Sequence, residues 1–171
     1  MTEAPRVFID TCLLVNLAIG AATSDEQYKL PASRGVIEAI SNNRMRGYMS
    51  VITIAELLGN AKIRGNHISK QERNRRIKTA QAWLKNFPIT AVEADSTLAF
   101  EAGTLAQQHQ LKGPDALILA SSLRVQAKTL YTWDNGLLKI NDNINDIDIV
   151  KPSTYQYTEQ AAFSFDDLRR T

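Results

Sequence analysis

The sequence predicts an α/β domain built on a mostly parallel sheet of about five strands. Short runs of β-branched and aromatic residues alternate with longer helical patterns along the chain, which is typical of this class. A length of 171 residues allows one domain of ordinary size. Because 44% of the residues are hydrophobic and 22% charged, a disordered, collagen-like or low-complexity chain is excluded.

Five short runs carry the strand signal. In chain order they are Arg6–Ile9, Tyr48–Val51, Ile89–Val92, Thr129–Thr132 and Ile147–Val150. The first is followed by an apolar helix from about Thr11. A second helix is predicted from Ala32 or Ser33 to about Arg44, and a third contains Ile54 to Leu58.

Capping residues predict where the later helices begin. Ser69 to Glu72 has the form of a capping box, and the helix that it opens ends before Pro88. Asp95 or Ser96 caps the next helix. Gly113–Pro114 opens another, because proline suits the first helical position.

The chain divides into a body, residues 1–151, and an aromatic tail, residues 152–171. Regular periodicity fades in the tail, which we expect to pack on the body or on a partner. Phe163 and Phe165, two residues apart, could form a short edge strand.

Several classes of site and location are argued against. The single cysteine, Cys12, excludes an internal disulfide, and the two histidines, His67 and His109, have no zinc-ligand spacing. The apolar stretch from Cys12 to Ala22 is shorter than the ~20 residues that span a bilayer. No basic patch precedes it as in a signal peptide. We therefore expect a cytoplasmic protein that does not enter a membrane.

Four carboxylates follow predicted strands or open the helices after them: Asp10, Glu56, Asp115 and Asp134. In an open parallel sheet the ligand crevice lies at the carboxyl ends of the strands, so all four are predicted along that edge. Each also has a structural interpretation. Asp10 could cap a helix, Glu56 could form a capping box with Thr53, Asp115 could complement a helix dipole, and Asp134 could be a turn residue.

Clustered carboxylates repel one another, by about 4 kcal/mol for two charges 4 Å apart at an effective dielectric of 20. Such a cluster protonates or recruits a cation. Oxygen ligands without histidine or cysteine suit Mg²⁺ or Mn²⁺. These ions favour hydrolysis of a phosphodiester by activating water and neutralising phosphate charge.

Positive charge concentrates between Lys62 and Lys78, where seven basic residues accompany one acid, Glu72. The stretch is either a solvated helix face or a contact for the nucleic-acid backbone. The candidate RNA contacts are Lys62, Arg64, Lys70, Arg73 and Arg76.

Four segments in this order resemble a PIN-domain ribonuclease, and within that group the VapC-type toxins of bacterial toxin–antitoxin pairs. They are Val7 to Thr11, Ser50 to Leu57, Pro114 to Ala120 and Leu130 to Asp134. The resemblance implies a three-layer α/β/α fold and an endoribonuclease that uses Mg²⁺ or Mn²⁺. It also implies a homodimer and a small antitoxin partner.

Position by position, the resemblance implies that Asp10, Glu56, Asp115 and Asp134 bind the metal. Thr132 corresponds to a hydroxyl that orients a water or a carboxylate, and Thr11 and Thr53 are expected behind the acids. Cys12 stands where many relatives carry asparagine or serine.

Two other functions are weighed against the toxin. One is an RNA-processing PIN-domain nuclease outside any toxin–antitoxin pair; the added segments around residues 21–33 and after Pro152 leave that choice open. The other is a phospho-acceptor receiver-like signalling module. That class needs a phosphorylatable aspartate at the end of a central strand, where this sequence has Ser50–Val51. It also needs a lysine at the end of a late strand, and Leu130 to Trp133 contains none, so the sequence argues against this class.

Overall fold

The computed structural model describes residues 3–19, 27–65 and 68–155. Within these residues the chain forms one sheet of five strands in the order β3-β2-β1-β4-β5, with every neighbouring pair parallel. The strands are β1 (Arg6–Ile9), β2 (Arg46–Ser50), β3 (Ile89–Val92), β4 (Thr129–Tyr131) and β5 (Asp148–Val150).

Helices make the connections between the strands. Their bounds are α1 (Thr11–Ile19), α2 (Lys29–Ser41), α3 (Val51–Gly59), α4 (Ala61–Arg64), α5 (Lys70–Asn86), α6 (Ser96–His109), α7 (Gly113–Arg124) and α8 (Asn135–Leu138). None of the helices described is long and apolar enough to cross a membrane.

The strand order reverses beside β1. From β1 the chain moves outward to β2 and β3, and then crosses to the other side of β1 to form β4 and β5. The loops that follow β1 and β4 therefore leave the sheet in different directions and open a crevice between them. Ligands of open parallel sheets bind at such a switch point.

Alternate residues of the strands divide the core between the two faces of the sheet. Val7 and Ile9 pack on one face with α1, α2 and α3. Phe8 and Leu130 pack on the other face with α7 and α8. The period-two alternation of a strand produces this arrangement. The three-layer α/β/α fold is thereby confirmed.

The predicted elements are confirmed, with shifts at their ends. The second helix begins at Lys29 rather than Ala32, because Pro31 lies in its first turn, where its missing N–H is tolerated. The second strand covers Arg46–Ser50, and Val51 already belongs to α3. At the start of α5, Ser69 accepts a hydrogen bond from the Glu72 amide, as the capping box predicts.

Of the tail, residues 152–155 are among those described. Pro152–Thr154 forms a 3-10 turn against α2, and Tyr155 packs on the core face shared by α1 and α2. Phe163 and Phe165 lie outside the described residues.

Candidate active site

A pocket of about 630 Å³ opens at the carboxyl edge of the sheet, beside the switch point between β1 and β4. We call it the acidic pocket. All four carboxylates singled out from the sequence line it. The lining residues are Asp10, Thr11, Cys12, Val15, Asn16, Lys29, Glu56, Gly59, Asn60, Asp115, Trp133 and Asp134.

Asp10 is the most enclosed of the four acids. It follows β1 directly and is only 5% exposed. Its Oδ2 accepts hydrogen bonds from the Thr132 hydroxyl at 2.6 Å and the Cys12 thiol at 2.9 Å. Burial raises the pKa of the Asp10 carboxyl, the two donors oppose that rise, and the charge of Glu56 adds to it. The side chain is thus fixed in place by the loops after β1 and β4.

Thr132 connects two of the acids. Its hydroxyl, fully buried, donates to Asp10 and accepts a hydrogen bond from the backbone N–H of Asp134 at 2.9 Å. Thr132 therefore holds Asp134 in register with Asp10 across the switch point.

Asp134 caps α8 as well as lining the pocket. Its Oδ1 accepts from the amides of Gly136 and Leu137, at 2.7 and 3.1 Å. Both bonds use one carboxylate oxygen, and Oδ2 takes no part in the cap. The turn-residue interpretation and a ligand role are therefore compatible at this position.

Glu56 reaches the pocket from the second turn of α3. Its Oε2 accepts a hydrogen bond from the Thr11 hydroxyl at 2.5 Å, and Thr11 Oγ1 lies 3.2 Å from the buried Thr53 hydroxyl. The capping-box interpretation of Thr53 and Glu56 is wrong, because the helix begins directly after β2 and its N-cap is Ser50. Thr53 instead lies behind Thr11, which orients Glu56.

Asp115 is electrostatically coupled to the whole group. It lies in the first turn of α7 and is partly buried. Burial, followed by the charge of Asp134, raises the pKa of Asp115 to about 6. Asp10 and Glu56 contribute in the same direction, and Lys112 opposes them. The charges of the other three carboxylates therefore reach Asp115 across the pocket.

The donors suit a hard divalent cation in chemistry, and the fit depends on water. Among the residues described, no group of three or more Asp, Glu, His or Cys side chains has the geometry to hold a metal ion by itself. Mg²⁺ keeps several waters and is often bound through one or two carboxylates. The acidic pocket offers four carboxylates and room for such waters, so its residues fit this mode of binding.

The basic stretch begins beside the pocket and continues along α5. Asn60, which lines the pocket, is followed directly by α4. Lys70 is exposed and Arg73 donates to the Gly65 carbonyl, whereas Arg76 pairs with Glu72. The side chains of Lys62 and Arg64 lie outside the described part of the chain. Some of the predicted RNA contacts are thus engaged within the protein.

Sequence reasoning gave no role to Trp133 or Lys29, and it noted Cys12 only as a departure from the motif. Cys12 bridges two loops, because its sulfur also accepts the Trp133 backbone N–H at 3.1 Å. Trp133 stands between Thr132 and Asp134 in the motif, and this neighbourhood was the available signal. Lys29 reaches the pocket from the start of α2, and no local pattern indicates it.

Comparisons with known proteins identify the family. The model of the PIN-domain family matches residues 7–143, which is most of the chain. No curated protein gives a significant match.

Three solved structures share the fold at low sequence identity. A toxin–antitoxin complex from Klebsiella pneumoniae is 22% identical, with 85% of this chain and 97% of that chain covered and a TM-score of 0.55. The sarcin–ricin-loop-cleaving toxin VapC20 of Mycobacterium tuberculosis is 15% identical. The match covers 75% of this chain and 90% of that chain, with a TM-score of 0.56. FitAcB from Neisseria gonorrhoeae is 16% identical. The match covers 87% of this chain and 99% of that chain, with a TM-score of 0.57.

Proposed function

The chain belongs to the PIN-domain family of nucleases, and we propose that it is an endoribonuclease that uses Mg²⁺ or Mn²⁺ to hydrolyse RNA. One observation carries the proposal. Four carboxylates from four different segments line one pocket at the switch point of the sheet, and burial together with the charges of the other three raises the pKa of Asp115 to about 6. A group of acids that lies in a cleft with few bases beside it, and in which one acid has a raised pKa, is typical of a functional site.

The residues divide the work by position. Asp10, Asp115 and Glu56 would hold the ion, partly through bound waters, and Asp134 would complete the site directly or through water. When bound, the ion would activate water and neutralise charge on the scissile phosphate. Thr132 and Cys12 keep Asp10 in place, and Thr11 does the same for Glu56. A carboxylate of the group would accept the proton of the attacking water.

The basic stretch would bring RNA to the pocket. Lys70 on α5 is exposed, and the stretch starts at the pocket wall. Contacts to phosphates position a strand without reading its sequence. The Glu72 pairs limit how many of these cations are available to RNA.

We also propose that the protein is the toxin of a toxin–antitoxin pair, acting in the cytoplasm as a homodimer held inactive by a small antitoxin. The structures with the same fold include a toxin–antitoxin complex and a toxin that cleaves the sarcin–ricin loop. An RNA-processing role outside such a pair is the alternative.

Metal dependence is tested with purified protein and total RNA in Mg²⁺, Mn²⁺ or chelator. We expect cleavage in either metal and none in chelator. Thermal unfolding gives a second measurement, since an ion that binds only the folded state raises the melting temperature, by an amount that grows with the logarithm of its concentration over its dissociation constant. Equal cleavage in chelator, or no thermal shift with either metal, would contradict the metal site.

Induced expression in a bacterial host tests the toxin role. The wild-type protein should arrest growth and Asp10→Asn should not. Co-expression of the proposed antitoxin, to be sought in a small gene next to this one, should restore growth and yield a complex of defined mass by light scattering. Normal growth together with RNA cleavage in vitro would favour the RNA-processing alternative.

A further inference from the structure

A second group of side chains stands at the rim of the acidic pocket. We call Tyr28, Lys29 and Trp133 the aromatic shelf. The ring of Tyr28 meets Trp133 edge to face, with centroids 5.7 Å apart and planes at 87°. The Lys29 ammonium lies 5.7 Å from the Trp133 centroid and 6.0 Å from the Tyr28 centroid, within the range of cation–π attraction.

The shelf is fixed to the proposed catalytic loop. The Trp133 indole N–H donates to the buried Ser33 hydroxyl at 2.9 Å, and its backbone N–H donates to Cys12. Trp133 lies between Thr132 and Asp134 in the chain. Whatever the shelf binds is therefore held at a set position relative to the acids.

Charge and exposure indicate what the shelf binds. Among the described residues that line the acidic pocket, Lys29 is the one cation, and the four carboxylates would otherwise repel a phosphate. A lysine ammonium binds phosphate as a compact charge with three donors. Tyr28 is 60% exposed, although it is a large aromatic residue beside the pocket. An exposed ring next to a cation is typical of surfaces that bind single-stranded nucleic acid by stacking.

We propose that the aromatic shelf binds the nucleotide adjacent to the scissile phosphate of single-stranded RNA. Its base stacks on Tyr28, its phosphate contacts the Lys29 ammonium, and Trp133 holds both side chains beside the acids. This inference rests on the proposed nuclease function, since it assigns the strand that enters the acidic pocket. Duplex RNA is not expected to bind in this way, because its bases are already stacked.

Binding is measured without cleavage, in chelator and in the Asp10→Asn background, with a fluorescein-labelled single-stranded oligonucleotide RNA. Tyr28→Ala should weaken binding roughly 10-fold, because one stacked base is worth several-fold to 100-fold in affinity. Tyr28→Trp should retain it. Phe100→Ala is the matched control, because Phe100 is 80% exposed but lies on α6 away from the pocket.

Lys29 is tested by salt dependence. Lys29→Gln should reduce the slope of log affinity against log salt by about 0.7, the value for one phosphate contact with a single strand. Lys29→Arg should keep the slope, and Lys128→Gln, an exposed lysine outside the acidic pocket, should leave it unchanged. In the active enzyme, Tyr28→Ala should raise KM with little change in kcat.

The outcomes separate the shelf from the nuclease. Wild-type affinity in Tyr28→Ala, or equal binding of duplex and single-stranded RNA, overturns the shelf whether or not the enzyme cuts. A second result is that binding falls equally in Tyr28→Ala and Tyr28→Trp, with a lower melting temperature in both. That result overturns the shelf too, because it means that Tyr28 only packs within the fold. Absence of cleavage in every metal overturns the nuclease, and the binding measurements remain readable.

Discussion

The two edges of the sheet carry clefts of nearly equal size and opposite character. The acidic pocket at the carboxyl edge has about 630 Å³, and a cleft of about 580 Å³ opens at the amino edge. We call the second one the amino-edge cleft. It is lined by Glu3, Ala4, Pro5, Arg6, Leu123, Gln126, Lys128 and Asp146.

Charge balance, not volume, distinguishes the two clefts. The described residues that line the amino-edge cleft include two acids and two bases, and the Arg6 guanidinium donates a hydrogen bond to the Val125 carbonyl at 3.1 Å. The acidic pocket has four acids and Lys29, and burial together with mutual repulsion raises the pKa of Asp115. Cavity size therefore does not single out the candidate site, and the excess of acids is the feature that does.

The largest expected effect comes from removing the charge of Asp10 at the carboxyl edge, and removing one charge at the amino edge is its control. Asp10→Asn should lower RNA cleavage roughly 1000-fold. The variant loses the attraction between the Asp10 carboxylate and the proposed ion, and about 4 kcal/mol of such attraction corresponds to that factor in rate. Asp146→Asn makes the same chemical change at the amino-edge cleft and should keep the wild-type rate. Single-turnover cleavage in Mg²⁺ measures both. If the two variants behave alike, the contrast between the edges has no functional meaning.

A smaller effect is expected from Thr132. Thr132→Val keeps the shape but removes the hydroxyl that joins Asp10 to Asp134, which leaves a buried carboxylate and an amide short of a partner. We expect a loss of about 1–3 kcal/mol in the free energy of unfolding and of roughly 10- to 100-fold in activity.

Thr132→Ser separates these two losses. It keeps the hydroxyl and loses a methyl group, so stability should fall by about 1 kcal/mol while most activity remains. Urea unfolding and cleavage rates are measured on both variants. Equal activity in the valine and serine variants would show that the link between the acids is not needed.

The sequence was sufficient for the sheet and for the residues at its carboxyl edge. Strands such as Arg6–Ile9 and helix starts such as Ser69 carry local signals, and an acid that directly follows a parallel strand must lie at that edge. The predicted start of α2 at Ala32 or Ser33 was too late, because the helix includes Pro31 in its first turn, where proline is accepted.

The aromatic shelf could not be predicted in the same way. The bond from Trp133 to Ser33 joins residues a hundred positions apart, and the contact between Tyr28 and Trp133 depends on how α2 crosses the loop after β4. Such contacts are properties of packing between elements and leave no periodicity in the chain. The bridge that Cys12 makes between two loops has the same origin.

The smallest expected effect concerns stability and pH at Asp115. Because its pKa in the folded protein is about 6, above the ordinary value of 3.8, the folded state binds more protons between these values. The free energy of unfolding therefore falls as pH rises from about 4 to 6, and the loss persists above that range. Asp115→Asn removes this titration, so its stability relative to wild type should grow between pH 4 and pH 7.

We expect that growth to be about 1 kcal/mol once solvent screening of this partly exposed group is allowed for. Loss of a negative charge in the first turn of α7 acts in the opposite direction at neutral pH and makes the difference smaller. Urea unfolding in chelator at pH 4 and pH 7 measures it. Saturating Mg²⁺ should reverse the order at pH 7, because the ion stabilises the wild-type carboxylates more than the amide. A difference that is flat with pH in chelator would mean that neither burial nor the neighbouring acids raise the pKa of Asp115, and the contrast with the amino-edge cleft would then lose its physical basis.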